Sequence, residues 1–373
     1  MNPNLIFIAL ALLLWGIGEG MFLNFVPIYL DIGFSLGEQE IGIILGTFGF
    51  FMAITHIPAG RLADTFGRRP LLIGAWILGF VSTLLMGITH FLPIYLIGVF
   101  GYALTAFVSS PLSSYVTAAR GEWSVSATLA LTSATFNFGM AMGPLAGGWI
   151  AEQYGMRTSY LAGALMFFVS TVFLVFAKSQ PIDTHDPESP PVHLWNNKGL
   201  ISFILVVAFS IFAMYLSQPL SPNFLSSVRT LTLTETGWIF SAGALGNSLI
   251  ALAFSRVKPR GGFLLAQVLV AIFAFTMWKG AGLPIFMLGY FLLGGFRAAR
   301  PMFMAQARDL VHESQMGLTY GTMETVVAIV YILTPPLAGF LFEIDPFILY
   351  PISIGLILIS IVVSYIFSPK KEN

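Results

Sequence analysis

The 373-residue chain has no cysteine, and that absence removes disulfides, thiolate metal ligands and cysteine nucleophiles together. It says nothing about redox compartment. Charge is almost as scarce: Asp, Glu, Lys and Arg make up 9% of the residues, against about 25% in a soluble domain. So little charge cannot cover a water-facing surface, and lipid must be the solvent for most of the chain. The charges that remain balance, 17 basic against 17 acidic, which leaves no pull toward nucleic acid or another polyanion. There is no Walker-type phosphate loop, no His/Glu metal constellation and no nucleophile beside a base. Direct ATP drive, a metal centre, a bound cofactor and enzymatic chemistry are therefore not expected.

What the chain has instead is apolar length, with 57% hydrophobic residues and a mean hydropathy of +0.85. A bilayer core about 30 Å thick needs about 20 mostly apolar residues per helix. That ruler places spans near 5–30, 40–62, 70–89, 92–118, 124–150 and 157–177, and again near 199–223, 236–255, 262–280, 284–307, 315–342 and 346–367. Helices are required, because backbone in lipid must satisfy its own hydrogen bonds and these runs far exceed a barrel strand. The expected fold is an all-α membrane protein of twelve transmembrane helices in two pseudo-symmetric six-helix bundles. The N-terminal run lacks a basic n-region and a small-residue cleavage site and stays apolar to Leu30, so it reads as the first span.

A polar stretch, 178–198, rich in Pro, Asp and Ser, separates an N-terminal half, 1–177, from a C-terminal half, 199–373, and reads as a flexible cytoplasmic linker. Basic residues crowd one face: with the N-terminus cytoplasmic, Arg61, Arg68, Arg69, Arg120, Lys178, Lys198, Arg256, Lys258, Arg260, Arg308, Lys370 and Lys371 lie inside. Only Arg157, Arg229 and Lys279 lie outside. Both termini are expected on the cytoplasmic side of the cell (inner) membrane.

The halves echo each other. Leu92-Pro93-Ile94-Tyr95 with Gly98 recurs as Leu283-Pro284-Ile285-Phe286 with Gly289. Pro144-Leu145-Ala146-Gly147 recurs as Pro336-Leu337-Ala338-Gly339, and Ser35-Leu36-x-Glu38 as Thr232-Leu233-x-Glu235. Three matches in the same order imply a six-plus-six duplication.

Two further segments carry chemistry. Gly60-Arg61-Leu62-Ala63-Asp64-Thr65-Phe66-Gly67-Arg68-Arg69 joins spans two and three; Gly60 and Gly67 would permit a tight turn, and the arginines would meet anionic headgroups. In span five, Gly139 and Gly143 share a helix face and would let a neighbour approach, while Pro144 favours a kink before Gly147 and Gly148. The first segment resembles the G-x-L-a-D-x-x-G-R-[RK] loop of the major facilitator superfamily. The second resembles the glycine-proline run of its twelve-span drug–proton antiporters. The resemblance covers the whole chain and implies a single-chain monomer working by alternating access on a small-molecule substrate, with the proton as coupling ion. It also implies a cytoplasmic gate of Gly60, Asp64, Gly67, Arg68, Arg69 and Arg120, in which Asp64 pairs with Arg120 and faces the start of span eleven near Ser314. The chain departs from the family in two places. Ser255 stands where the second half should have an aspartate, and span four carries no arginine between Ile94 and Phe107.

Ionisable side chains at bilayer depth cost several kcal/mol unless they face a cavity or a partner. Five are expected there: Glu19, His56, Arg297, Arg300 and Glu324. Arg300 and Glu324 read as an ion pair that could also touch substrate, and Glu19 and Arg297 as substrate-binding or coupling groups or, alternatively, a static bridge between the halves. Glycines on both sides of Glu19 are expected to open space for a ligand, and His56 to pack or to titrate. Trp15, Met21, Phe25, Phe136, Phe212, Tyr215 and Phe296 are expected around a cavity. Two activities remain open: proton-coupled export of an amphipathic or drug-like solute, and carriage of an anionic solute or lipid clamped by Arg297 and Arg300.

Overall fold

The computed structural model describes residues 3–179, 197–311 and 316–369, with side chains at 56–66 and at Ser110, Ser126 and Gly317 outside the description. All regular structure among them is helical. The first span is two helices, α1 (Pro3–Phe22) and α2 (Val26–Phe34), joined by a 3-10 turn. It is followed by α3 (Glu38–Phe66), α4 (Arg68–Ile88), α5 (Leu92–Leu104), α6 (Ser109–Ala118), α7 (Val125–Tyr154) and α8 (Met156–Val175). The second half holds α9 (Lys198–Tyr215), the short α10 (Ser221–Asn223), α11 (Leu233–Phe254), α12 (Pro259–Lys279), α13 (Leu283–Arg308), α14 (Met316–Ile344) and α15 (Leu349–Phe367). Among the described residues, nine helical stretches are long and apolar enough to cross a membrane. The other three expected spans fall on α3, α7 and α13, helices of 29, 30 and 26 residues. The fourth span is not one helix: a 3-10 turn at Thr105–Val108 separates α5 from α6.

Local chemistry sets the helix ends. The repeated Leu-Pro pairs place Pro93 and Pro284 in the first turns of α5 and α13, where a missing N–H costs nothing. Ser124 accepts a hydrogen bond from Ala127 N at 3.1 Å to start α7, and Asn197 accepts one from Leu200 N at 3.0 Å to start α9. The turn expected at Gly60 and Gly67 is made at Gly67 alone, because α3 continues to Phe66. Gly67 takes φ +80°, a backbone only glycine adopts freely, and α4 begins at the next residue.

The chain divides into two compact units. One holds residues 1–35, 47–185 and 230–244; the other holds 36–46, 186–229 and 245–373. α3 and α11 therefore each start in one unit and finish in the other.

In the first unit, Trp76 of α4 donates to Ser170 of α8 at 2.7 Å, and Ser170 donates to Ala11 O of α1 at 2.6 Å. In the second, Gln267 of α12, Ser360 and Ser364 of α15 and Ser210 of α9 close a buried network with contacts of 2.7–3.2 Å. The duplication is thus carried by hydrogen bonds as well as by sequence. Buried polar groups like these need partners, and here each three-helix knot supplies its own.

Arginines cap helix C-termini, where the last carbonyls lack intrahelical donors. Arg69 donates to Ala177 O and Val175 O at 2.7 and 2.8 Å, and Arg260, its counterpart at the start of α12, to Tyr365 O near the end of α15. This corrects the expectation that Arg69 reaches for lipid headgroups: carbonyls take its donors. Two of the three expected outer cations do the same. Arg157 donates to Gly87 O and Ile88 O at 3.0 and 2.7 Å, and Arg229 to Met277 O and Trp278 O, both at 2.8 Å. The third, Lys279, lies 4.0 Å from the Trp278 ring centroid.

Candidate substrate site

In the first unit the polar focus is Glu19. Trp15, one turn earlier on α1, donates its indole N–H to Glu19 Oε2 at 3.0 Å, and the Tyr102 hydroxyl of α5 lies beside the same carboxylate. Trp15 is wedged among Phe167 (centroids 4.4 Å apart), Trp76 (4.6 Å) and Tyr102 (6.2 Å). The aromatic shell surrounds the carboxylate, with the Trp15 indole donating to it, and leaves it half-buried. The glycines beside Glu19 do not open space for a ligand. Gly18 lies against Gly163 O of α8, 3.0 Å from an added Cβ, and Gly20 lies against Pro144 Cδ of α7 at 2.8 Å. They are bare because neighbouring helices touch the backbone there. Trp15, Met21 and Phe25 are likewise packed inside the unit, at 6%, 6% and 1% exposure.

The span-five glycines face two ways. A methyl group at Gly139, Gly143 or Gly147 would strike the α1 backbone at Leu13 O, Ile17 O and Met21 O, and one at Gly148 would strike Leu233 O of α11. The close approach expected of Gly139 and Gly143 is to α1, and α7 runs on as a helix through Pro144.

The second unit builds a different arrangement. Arg300 Nε and Nη2 both reach Glu324 Oε1 at 2.7 Å, a pair made between α13 and α14. With exposures of 66% and 41%, both groups remain reachable. A cavity of about 330 Å³ opens beside them, lined by Arg300, Pro301, Met304, Tyr320 and Glu324. One turn back, Arg297 is exposed, pairs with no carboxylate among the described residues, and lies close enough to Tyr215 and Tyr331 for its charge to act on both hydroxyls. Those two rings sit 4.7 Å apart, and Phe296 stacks on Tyr215 at 5.7 Å and 14°. Tyr331 occupies the position that repeats Gly139: a glycine packs α7 onto α1, whereas a tyrosine fills the space between α14 and α9.

Asp64, His56 and Gly60 have side-chain positions outside the described residues, as does the segment around Ser314. Arg68 Nη1 reaches Ser114 O at 3.4 Å, and Arg120 is exposed in the turn after α6. A larger cavity of about 410 Å³, lined by Tyr29, Tyr154, Arg157 and Leu161 among others, holds none of the expected site residues. Sequence reasoning missed Tyr102 as a partner of Glu19, and it missed Tyr320 and Met304. It also missed the Trp15–Glu19 bond, for which the spacing of four residues was the available signal, since it puts the indole on the face of Glu19.

Residues 8–257 and 203–373 match the model of the Major Facilitator Superfamily. The chain belongs to that superfamily. Multidrug resistance protein 2 of Bacillus subtilis (strain 168) is 23% identical over 348 residues, covering 88% of this chain and 86% of the relative. The quinolone resistance protein NorA of Staphylococcus aureus (strain MSSA476) is 23% identical over 366 residues, covering 92% and 91%. Among solved structures, a variant of the nucleoside transporter NupG superposes with a TM-score of 0.83 at 13% identity over 98% of each chain, a likeness of fold. As a superfamily member the chain is a multi-pass membrane transporter of small solutes, not an enzyme.

Proposed function

We propose that the chain exports a small amphipathic or drug-like organic solute by alternating access, driven by proton exchange. It would work as a monomer in the cell (inner) membrane, with both termini cytoplasmic and residues 1–177 and 199–373 as its two moving halves. The observation that carries this reading is Glu19, a carboxylate within an apolar helix held by the Trp15 indole beside the Tyr102 hydroxyl. Such a group can bind a proton or a cationic substrate and exchange one for the other, because the Trp15 donor survives either state. Arg297, with Tyr215, Tyr331 and Phe296, offers a guanidinium beside stacking surfaces, and Arg300–Glu324 a reachable ion pair. Gly60, Asp64, Gly67, Arg68, Arg69 and Arg120 would form the cytoplasmic gate. The drug-resistance names of two relatives support the substrate class.

The second reading, an anion or lipid carrier clamped by Arg297 and Arg300, draws on the unpaired Arg297. It is weakened by Glu324, which already neutralises Arg300.

The test is transport in proteoliposomes under an imposed pH gradient, with cationic, neutral and anionic panels. Gradient-driven movement of cationic or neutral compounds that is lost in Glu19→Gln supports export. Gradient-independent movement of anions that is lost in Arg297→Ala overturns it in favour of the carrier.

A further inference from the structure

Two of the helices that begin on the face away from the chain termini, α3 and α11, have N-termini built to one plan. At α11, Thr232 is the N-cap: its Oγ1 accepts from Glu235 N at 3.2 Å, and Glu235 Oε2 accepts from Thr232 N at 2.9 Å. At α3, Gly37 is the N-cap, and Glu40 Oε2 accepts from Gly37 N at 2.9 Å. In both, the third helical residue bonds back to the cap and leaves the second N–H without a local acceptor. A glutamate from another helix takes it. Glu152, at the end of α7, accepts from Thr234 N at 2.8 Å; Glu343, at the end of α14, accepts from Gln39 N at 3.0 Å.

The two glutamates are repeat partners, since Glu152 stands eight residues after Pro144 on α7 as Glu343 stands eight residues after Pro335 on α14. Just inside each contact, backbone meets backbone. A Cβ on Gly237 would strike Pro144 O, one on Gly42 would strike Pro335 O, and one on Gly339 would strike Glu38 O.

We propose that Glu152 and Glu343 are a matched pair of latches that hold these helix starts closed on the face away from the termini, each by one carboxylate on one helix N-terminus. Among the described residues neither latch has a covalent or basic partner to outlast it. An exposed glutamate on an N–H can exchange that donor for water, so the contact can be made and broken once per cycle. The glycine seams give the closed form its close fit, and the two glutamates set how strongly it is favoured. The duplication makes the bias two-fold, one latch in each compact unit.

This proposal rests on the alternating-access reading, and the experiment separates the two. Because the chain has no cysteine, paired reporter cysteines can be introduced without background. Spin labels on Trp149→Cys with Trp238→Cys report the α7–α11 contact, and labels on Phe340→Cys with Ile43→Cys report the α14–α3 contact. All four positions are exposed, and none makes a latch bond. Distance distributions are measured on the full chain in lipid nanodiscs.

A carboxylate at a helix N-terminus biases an equilibrium by roughly two- to five-fold. Glu152→Gln and Glu343→Gln, which keep size and remove charge, should each raise the ratio of long to short distances by about that factor, and the double variant by about the product. Glu→Asp variants, which keep the charge, should shift it less. A double Gln variant with wild-type distributions at both contacts overturns the latches. A wild type showing one unchanging distance at both contacts, with and without a pH gradient, overturns alternating access and the latches with it.

Discussion

Trp15 donates its indole N–H to the carboxylate of Glu19 at 3.0 Å, across one turn of the same helix. The bond holds the carboxylate in one place beside Tyr102, so substitution of the donor should alter transport without touching the carboxylate itself. Glu19→Gln is expected to abolish gradient-driven transport while leaving the protein folded. Trp15→Phe removes one donor and keeps most of the packing against Phe167 and Trp76. It should shift the pH dependence of transport and cut its rate less severely than Glu19→Gln. Rates measured across external pH in proteoliposomes decide this; a Glu19→Gln rate and pH profile equal to wild type would sink the coupling role.

The α1–α7 seam makes a second prediction. A side chain at Gly143 meets Ile17 O and the Gly20 backbone, atoms that cannot swing away. Gly143→Leu should therefore destabilise the fold by at least the 1–3 kcal/mol typical of overpacking. Thermal unfolding in detergent should show the loss, whereas Gly321→Leu, at a position with nothing within 4 Å, should behave like wild type. If the seam serves packing alone, transport per folded molecule in a milder Gly143→Ala variant will match wild type.

How far the sequence could be read depended on whether the signal was local. The spans and the repeated Leu-Pro pairs that start α5 and α13 follow from hydrophobic length or from local sequence and were legible, whereas the facing of Trp15 and Glu19, a spacing within one helix, was left unread. The third repeat, Ser35 to Glu38 against Thr232 to Glu235, was read two residues out of register. Glu40, not Glu38, folds back on its cap as Glu235 does, and with Glu38, Glu40 and Glu235 all near helix starts, residue type alone could not say which. The approach of Tyr102 to Glu19, the α7 backbone beneath Gly20 and the carbonyls beneath Arg69 each join segments far apart in sequence. No periodicity records such meetings, so basic residues that fitted a lipid-facing role proved to be helix caps.

Those caps predict a paired effect. Arg69 and Arg260 occupy equivalent positions and grip the ends of α8 and α15. Removing either to Gln should cost about 0.3–1 kcal/mol, the usual worth of a cation at a helix C-terminus. Lys should restore only part of it, because a point charge lacks the fork that lets Arg69 reach two carbonyls. Melting temperatures of the two Gln and two Lys variants test this, and equal melting of Arg69→Gln and wild type would refute it.

Arg300 and Glu324 form a close pair, yet at 66% and 41% exposure solvent screens them. A double-mutant cycle on unfolding should return a coupling below about 1 kcal/mol. Transport should respond far more than stability if the pair lines the substrate path. The swapped variant, Arg300→Glu with Glu324→Arg, keeps the pair but exchanges the charge next to Arg297. Restored stability with altered preference between cationic and anionic substrates would place the pair on the path; restored stability with restored transport would make it a structural clip.

Acidity should loosen the far-side contacts in a definite direction. Glu152 lies past the apolar stretch of α7, and its carboxyl is held below the usual carboxylate range by hydrogen bonds from the Thr234 side chain and backbone N–H and from Thr232. Among the described residues the charged groups joined at that helix start are Glu152 and Glu235, with no basic residue bonded to either, so a proton taken up by Glu152 removes charge that no described partner replaces. A lowered value means the contact stabilises the closed form fully above the ordinary carboxylate range and loses that contribution as pH falls through the lowered value. Distances between labels at Trp149→Cys and Trp238→Cys should therefore stay short near neutrality and lengthen only in distinctly acidic buffer. In Glu152→Gln the same distances should be longer at neutral pH, and their acid response should be reduced. An acid response of equal size in Glu152→Gln would assign the sensitivity to another group.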